Sequence, residues 1–143
     1  MPRVDFYILA DGDEQRRIQY LCRLVDKAYR LGHRVWIRTP VPTHAAVLDE
    51  RLWTFSQGSF VPHQRAGGEG ERACPVVIGE QPGDGDERHL LINEGSEVPA
   101  FGDLFDRIAE VVNQDPETRA AGRARYARYR DAAYDLHHHQ VEP

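Results

Sequence analysis

Apolar positions recur along this chain with two different periods, and the switches between them lay out its elements. Residues 4–10 (VDFYILA) are a short run rich in β-forming types and predict a first strand. Asp11 then suits a helix N-cap, with Glu14 three residues on as a capping box requires. Ile18, Leu21, Cys22, Val25, Ala28 and Tyr29 follow at three- and four-residue spacing and predict a helix to about Leu31, stopped by Gly32. Residues 34–38 (RVWIR) predict a second strand. Pro40 and Pro42 punctuate, and Thr43 suits the cap of a helix over 44–55. Residues 56–72 hold four glycines and a proline and predict a loop, with Phe60-Val61 as an apolar island inside it.

Residues 74–79 (CPVVIG) and 88–93 (RHLLIN) predict two more strands on either side of an acidic turn. Leu104, Phe105, Ile108, Val111 and Val112 have helical spacing and predict a helix over 101–113. A final helix is predicted over 117–136, with Pro116 at its first turn. The polar end, residues 137–143, predicts a frayed tail. This alternation of strands and helices implies an α/β fold: one domain over residues 1–143, with a Rossmann-like open, mostly parallel sheet flanked by helices.

Composition narrows the function classes. With 143 residues, 41% hydrophobic and 29% charged, the chain is an ordinary globular length and mix, neither disordered nor a disulfide miniprotein. No apolar run reaches membrane-spanning length, and the start turns acidic before a signal core could form, so a cytoplasmic location with no membrane contact is expected. The net charge of −5 argues against a chain-wide nucleic-acid footprint. Cys22 and Cys74 are far apart and read as small buried hydrophobes in a reducing compartment.

Enzyme signatures are missing. The turn after the first strand, Ala10-Asp-Gly-Asp-Glu-Gln, carries carboxylates where a phosphate-binding turn needs glycines. Gly67-Gly68-Glu69-Gly70 has no lysine and Ser/Thr after it, and reads as a surface loop. Asp11 and Asp13 read as helix caps before they read as cation ligands. The seven histidines form no H-x-x-x-H or H-E-x-x-H pair, and no G-x-S-x-G elbow occurs. No catalytic residue, metal site or cofactor is expected.

Two features remain, and each has two readings. Trp53 and the Phe60-Val61-Pro62-His63 island either tuck into the domain's own core or form an exposed patch for a partner. Between Arg119 and Arg130 lie five arginines and no acid; Arg119, Arg123, Tyr126 and Arg130 fall at i, i+4, i+7 and i+11 on one helical stripe, flanked by Arg125, Arg128 and Tyr129. That stripe is a solvated basic face, or a grip for an acidic peptide carrying an aromatic group, or a track for single-stranded nucleic acid.

The chain resembles the chi subunit family of bacterial DNA polymerase III. The resemblance lies in Phe6-Tyr7-Ile8-Leu9, Leu48-Asp49-Glu50 with Leu52-Trp53, Ser59-Phe60-Val61-Pro62-His63, Pro75-Val76-Val77-Ile78 and Arg123-x-Arg125-Tyr126-x-x-Tyr129-Arg130, in that order over nearly the whole chain. It implies a Rossmann-like fold and a non-catalytic adaptor in DNA replication. Such an adaptor binds the psi subunit of the clamp-loader complex, and an accessory helicase is expected to use the same surface. It also binds the acidic C-terminal tail of single-stranded DNA-binding protein (SSB), so its link to nucleic acid is indirect. Carried onto this sequence, the resemblance implies a psi-facing patch of Trp53, Phe60, Val61 and Pro62. It implies an SSB-tail site of Arg119, Arg123 and Tyr126, with Arg128 as a substitute for a family lysine whose position Ala127 holds. On an ideal helix Arg128 points about 100° away from that position. The alternatives kept beside this reading are a nucleotide-binding α/β enzyme and a direct single-stranded DNA binder.

Overall fold

The strand predicted first runs over Arg3–Leu9 (β1) and lies second from one edge of a seven-stranded sheet. The computed structural model describes residues 2–142. After β1 come helix α1 (Glu14–Arg30), strand β2 (Val35–Arg38), helix α2 (Pro42–Thr54) and strands β3 (His63–Arg65), β4 (Val76–Gly79) and β5 (Leu90–Asn93). A 3₁₀ turn at Gly102–Leu104, strand β6 (Arg107–Val112), helix α3 (Pro116–Asp131) and strand β7 (Asp135–Val141) complete the order. The strands lie in the order β3-β4-β2-β5-β6-β1-β7, and every pairing is parallel. The expected α/β, Rossmann-like open sheet is therefore present.

Helices α1 and α2 cover one face of the sheet. Ile18, Leu21, Cys22, Val25, Ala28, Leu48 and Leu52 pack there on Val35, Ile37, Ile78, Ile92 and Val111. Helix α3 covers the other face, where Tyr129 packs among Val4, Phe6, Trp36, Leu91, Ile108 and Val112. Each fully buried aliphatic side chain contributes about 1.5–3 kcal/mol relative to exposure. The caps differ slightly from expectation. Asp13, not Asp11, caps α1, its side chain accepting from the Gln15 N–H at 2.9 Å. Asp11 Oδ1 instead accepts from the Asp13 N–H. At α2 the cap position is Val41, with Pro42 in the first turn, so Thr43 lies inside the helix.

Two expectations are corrected, and both corrections shape the site. Residues 101–113 are not a helix. They form the 3₁₀ turn and then β6, five of whose six residues are buried. A strand between two others with helices on both faces is apolar throughout, and such a run mimics helical spacing. The last helix stops at Asp131, and the expected frayed tail is β7 through residue 141. Polar composition concealed it: β7 is an edge strand with none of its residues fully buried, so it lacks apolar alternation. Its pairing is nonetheless specific. His139 Nε2 lies 2.8 Å from Asp5 Oδ1, and the His139 ring stacks on Tyr7 at 5.2 Å. The loop over 56–72 also contains a short strand, β3, at the opposite edge.

Candidate functional site

Helix α3 is held to the sheet by a buried ionic cluster. Glu110 on β6 is 0% exposed. Its Oε1 accepts from Arg125 Nε at 2.9 Å, and its Oε2 accepts from Tyr129 Oη and from Asn93 Nδ2, each at 2.8 Å. Arg125 also donates to the Ser96 carbonyl at 3.3 Å. Burial pushes the Glu110 carboxyl up from its ordinary range, against the Arg125 charge and the three donors. Burial beside that carboxylate likewise raises the Tyr129 phenol far above its ordinary value. Arg125 and Tyr129, which flank the basic stripe in sequence, are thus anchors and not surface groups.

The anchored face turns the rest of the stripe outward. Arg119, Arg123 and Tyr126 border a groove of about 450 Å³ between α3 and the β1–β7 end of the sheet. The parallel register builds its floor. Ile8 stands between Val112 on β6 and Gln140 on β7, and Phe6 stands between Glu110 and His138. Phe6, Ile8, Val112 and His138 all line the groove. The Tyr126 ring meets the Phe6 ring edge-on at 5.3 Å. Helix and sheet approach closely here because residue 122 is glycine; a Cβ on Gly122 would sit 3.0 Å from Val112 Cγ1. Arg119 and Arg123 are exposed and have no ion-pair partner among the described residues. The result is two free guanidinium forks beside an aromatic wall and an apolar floor, which can hold carboxylates and an adjoining apolar side chain at once.

Arg128 does not join them. It is exposed but outside the groove, as its direction on the helix dictates. Arg130, lower on the stripe, lies 3.4 Å from Asp131. The floor residues Phe6 and Ile8 share one face of β1 by simple alternation, a signal present in the sequence. Val112 and His138 were hidden, because their segments read as helix and tail.

At the other edge of the sheet the aromatic island takes the exposed alternative. Trp53 on α2 is 52% exposed and Phe60 is 63% exposed, with ring centroids 5.5 Å apart. The Trp53 ring also lies 4.5 Å from that of His63, which is buried with Nε2 3.0 Å from the Asp49 carbonyl. Val61, expected with them at the surface, is instead 1% exposed and belongs to the α1/α2 core. Pro62 is half-buried. The chain thus tethers the patch through Val61 and His63 and leaves the two large rings in water. Six strand spacings, roughly 29 Å, separate this edge from the β7 edge.

Elsewhere, both cysteines are free. Cys22 is buried, its thiol pushed up to about 12 by burial, while Cys74 is only half-buried. Among the described residues no group of three or more His, Cys, Asp or Glu could hold a metal ion, and no helix is long and apolar enough to cross a membrane.

Comparison with known proteins bears on this geometry. A family model described as DNA polymerase III chi subunit, HolC, matches residues 1–137. The chain is 38% identical to DNA polymerase III subunit chi of Pseudomonas aeruginosa over 141 residues, covering 99% of this chain and 98% of the relative. It is 31% identical to the Haemophilus influenzae subunit, with 92% of each covered. Against the Escherichia coli subunit it is 33% identical, covering 82% of this chain and 81% of the relative. Among solved structures, that of T4 UvsW is similar in fold, with a TM-score of 0.67 at 9% identity; the match spans 98% of this chain and 41% of that one.

Proposed function

The chain belongs to the DNA polymerase III chi subunit family, whose role lies in DNA replication, and we propose that it serves there as a non-catalytic adaptor with two docking faces. One is the Arg119/Arg123/Tyr126 groove, which takes the acidic C-terminal tail of SSB. The other is the Trp53/Phe60 patch with Pro62, which takes the psi subunit or, on the same surface, an accessory helicase.

The observation that carries the reading is Arg119 and Arg123, without ion-pair partners among the described residues, standing over an apolar floor. Each guanidinium offers parallel N–H donors to a carboxylate, and a hydrogen bond to a charged group is worth about 1.5–3 kcal/mol. An acidic tail ending in Phe supplies the matching parts: aspartates and a terminal carboxylate for Arg119 and Arg123, and a ring for the wall of Tyr126 and Phe6. Because the arginines stand at the rim, salt screens their attraction, and binding weakens as ionic strength rises. The aromatic patch works by a different force. Two large rings left half in water gain from burial against any apolar partner surface, with little salt dependence. The edges that carry the two faces are roughly 29 Å apart, so both partners fit together, and each holds the other near the complex.

Fluorescence anisotropy of a labelled SSB C-terminal peptide at low salt tests this. Saturable binding is expected, lost with a peptide lacking its terminal Phe and lost in a folded Arg123→Glu variant. Equal binding of both peptides, or normal binding by Arg123→Glu, overturns the assignment of the groove.

A further inference from the structure

Among the described residues, the lining of the groove includes one buried polar side-chain atom without a partner. Asn113 follows β6 directly and is 1% exposed. Its Oδ1 accepts from the Asp115 N–H at 3.0 Å, which fixes the orientation of the amide. The Nδ2 at the other end is buried and has no hydrogen-bond partner among the described residues. Asn113 also lines the groove beside Val112. Buried donors are nearly always paired, and an unpaired one destabilises a fold. Asn113 lines the groove, so a bound ligand that moves the side chains covering this donor aside brings an acceptor to it.

We propose that Asn113 Nδ2 donates a hydrogen bond to a main-chain carbonyl oxygen of the peptide bound in the groove, and so sets the register of its apolar side chain. This rests on the reading of the groove as a peptide site. The acceptor is a carbonyl because the donor is neutral and sits against apolar side chains. A carboxylate is better served by Arg119 and Arg123, which hold it at the wet rim. The two kinds of donor divide the work. The arginines are long and exposed and follow a ligand through several positions. Asn113 is immobilised by its bond to the Asp115 N–H and accepts one position only. It is a specificity-determining residue, since a peptide shifted by one residue places its carbonyls out of reach.

The test pairs a variant with a modified backbone. In a series of SSB-tail peptides, each amide in turn is replaced by an ester, whose carbonyl is a weaker acceptor. The wild-type protein is expected to lose about three- to tenfold in affinity at one ester position. Asn113→Ala is expected to bind the parent peptide more weakly by a similar factor and to be insensitive to that same ester. Such non-additivity is something a merely structural role of Asn113 does not produce. Asn113→Asp, which keeps the acceptor for the Asp115 N–H and removes the donor, gives the same insensitivity if Asn113→Ala proves poorly folded. Losses that simply add at every ester position, or an Asn113→Asp variant that keeps wild-type sensitivity, overturn the proposal while Arg123→Glu still abolishes binding. Failure of the wild-type chain to bind the parent peptide overturns the peptide-site reading itself, and this proposal with it.

Discussion

Replacing Arg125 by Met separates the anchoring arginine from the exposed ones, Arg119 and Arg123. The substitution keeps much of the side-chain volume and removes the charge that faces Glu110. What remains around that carboxylate is two neutral donors, Tyr129 Oη and Asn93 Nδ2, at a residue with no solvent access. Removing one partner of a buried ion pair destabilises by about 3–5 kcal/mol, because the other charge stays buried and uncompensated. Against a total stability of about 5–15 kcal/mol, that is a fifth or more. For a chain of this length it lowers Tm by about 10–15 °C. Urea denaturation followed by circular dichroism measures it, and an unchanged m-value shows that the denatured state is the same. The loss also depends on pH. Burial already raises the Glu110 carboxyl above 4.5, and without Arg125 it rises further. The folded state then binds a proton that the unfolded chain has released, so the contribution of Glu110 in the variant is fullest below pH 4.5 and is lost as pH rises. Adding Glu110→Gln removes the orphaned charge and recovers most of the loss. Arg123→Ala, on the free side of the same helix, changes stability by no more than about 0.5 kcal/mol. An Arg125→Met protein as stable as wild type, or one that Glu110→Gln fails to rescue, refutes this account of how α3 is held.

The other expectations are simpler. Trp53→Ala and Phe60→Ala each change folding stability by less than about 1 kcal/mol, because the rings are half in water, but they weaken capture of psi in a pull-down; a loss of about 3–5 kcal/mol would mean that the rings are core. Affinity for the SSB peptide falls steadily between 50 mM and 500 mM salt in anisotropy titrations, while psi binding changes little; salt-independent peptide binding would exclude the arginines as the main contacts. Burial alone would raise the Asp5 carboxyl, but the donors from His139, Arg107 and Arg3 outweigh it and hold it at about 2. A depressed carboxyl stabilises the fold above pH 3.8, and this contribution is lost as pH falls toward 2. Asp5→Asn should flatten that acid limb in a circular-dichroism titration, and an unchanged limb would assign the acid sensitivity elsewhere.

The division between what was legible in the sequence and what was not follows the physics of each segment. Helix α1 announces itself because it is amphipathic: Ile18, Leu21, Cys22 and Val25 repeat with the helical period, and water lies on the other side. The stripe of Arg119, Arg123 and Tyr126 is legible for the same reason. Strand β6 is not, because a strand buried on both faces has no polar side to mark its period, and the one polar residue in its apolar run, Glu110, is paired out of sight by residues from β5 and α3. Nor is β7, whose edge position leaves its composition free while its place is set by Asp5 and Tyr7, far away in sequence. The groove suffers most from both. Its charged rim could be read, and its floor could not, because Val112 and His138 belong to these two strands. Trp53 and Phe60 illustrate a different limit. Burial of one aromatic beside another depends on which neighbour reaches it, and here Val61 and His63 occupy the inward positions.

The register that joins residue 3 to residues 107 and 135 also governs how the chain can be made. In synthesis β1 precedes both strands that flank it by more than 100 residues in register. At about 5–20 residues per second, its hydrogen-bonding edges stay open for several seconds. Pairing over such separations makes folding slow and leaves an unpaired strand available to other chains meanwhile. The groove, whose floor needs β6, β1 and β7 together, is therefore completed late. A chain that stops before β7 lacks His138 and Gln140, and with them part of the lining of the groove.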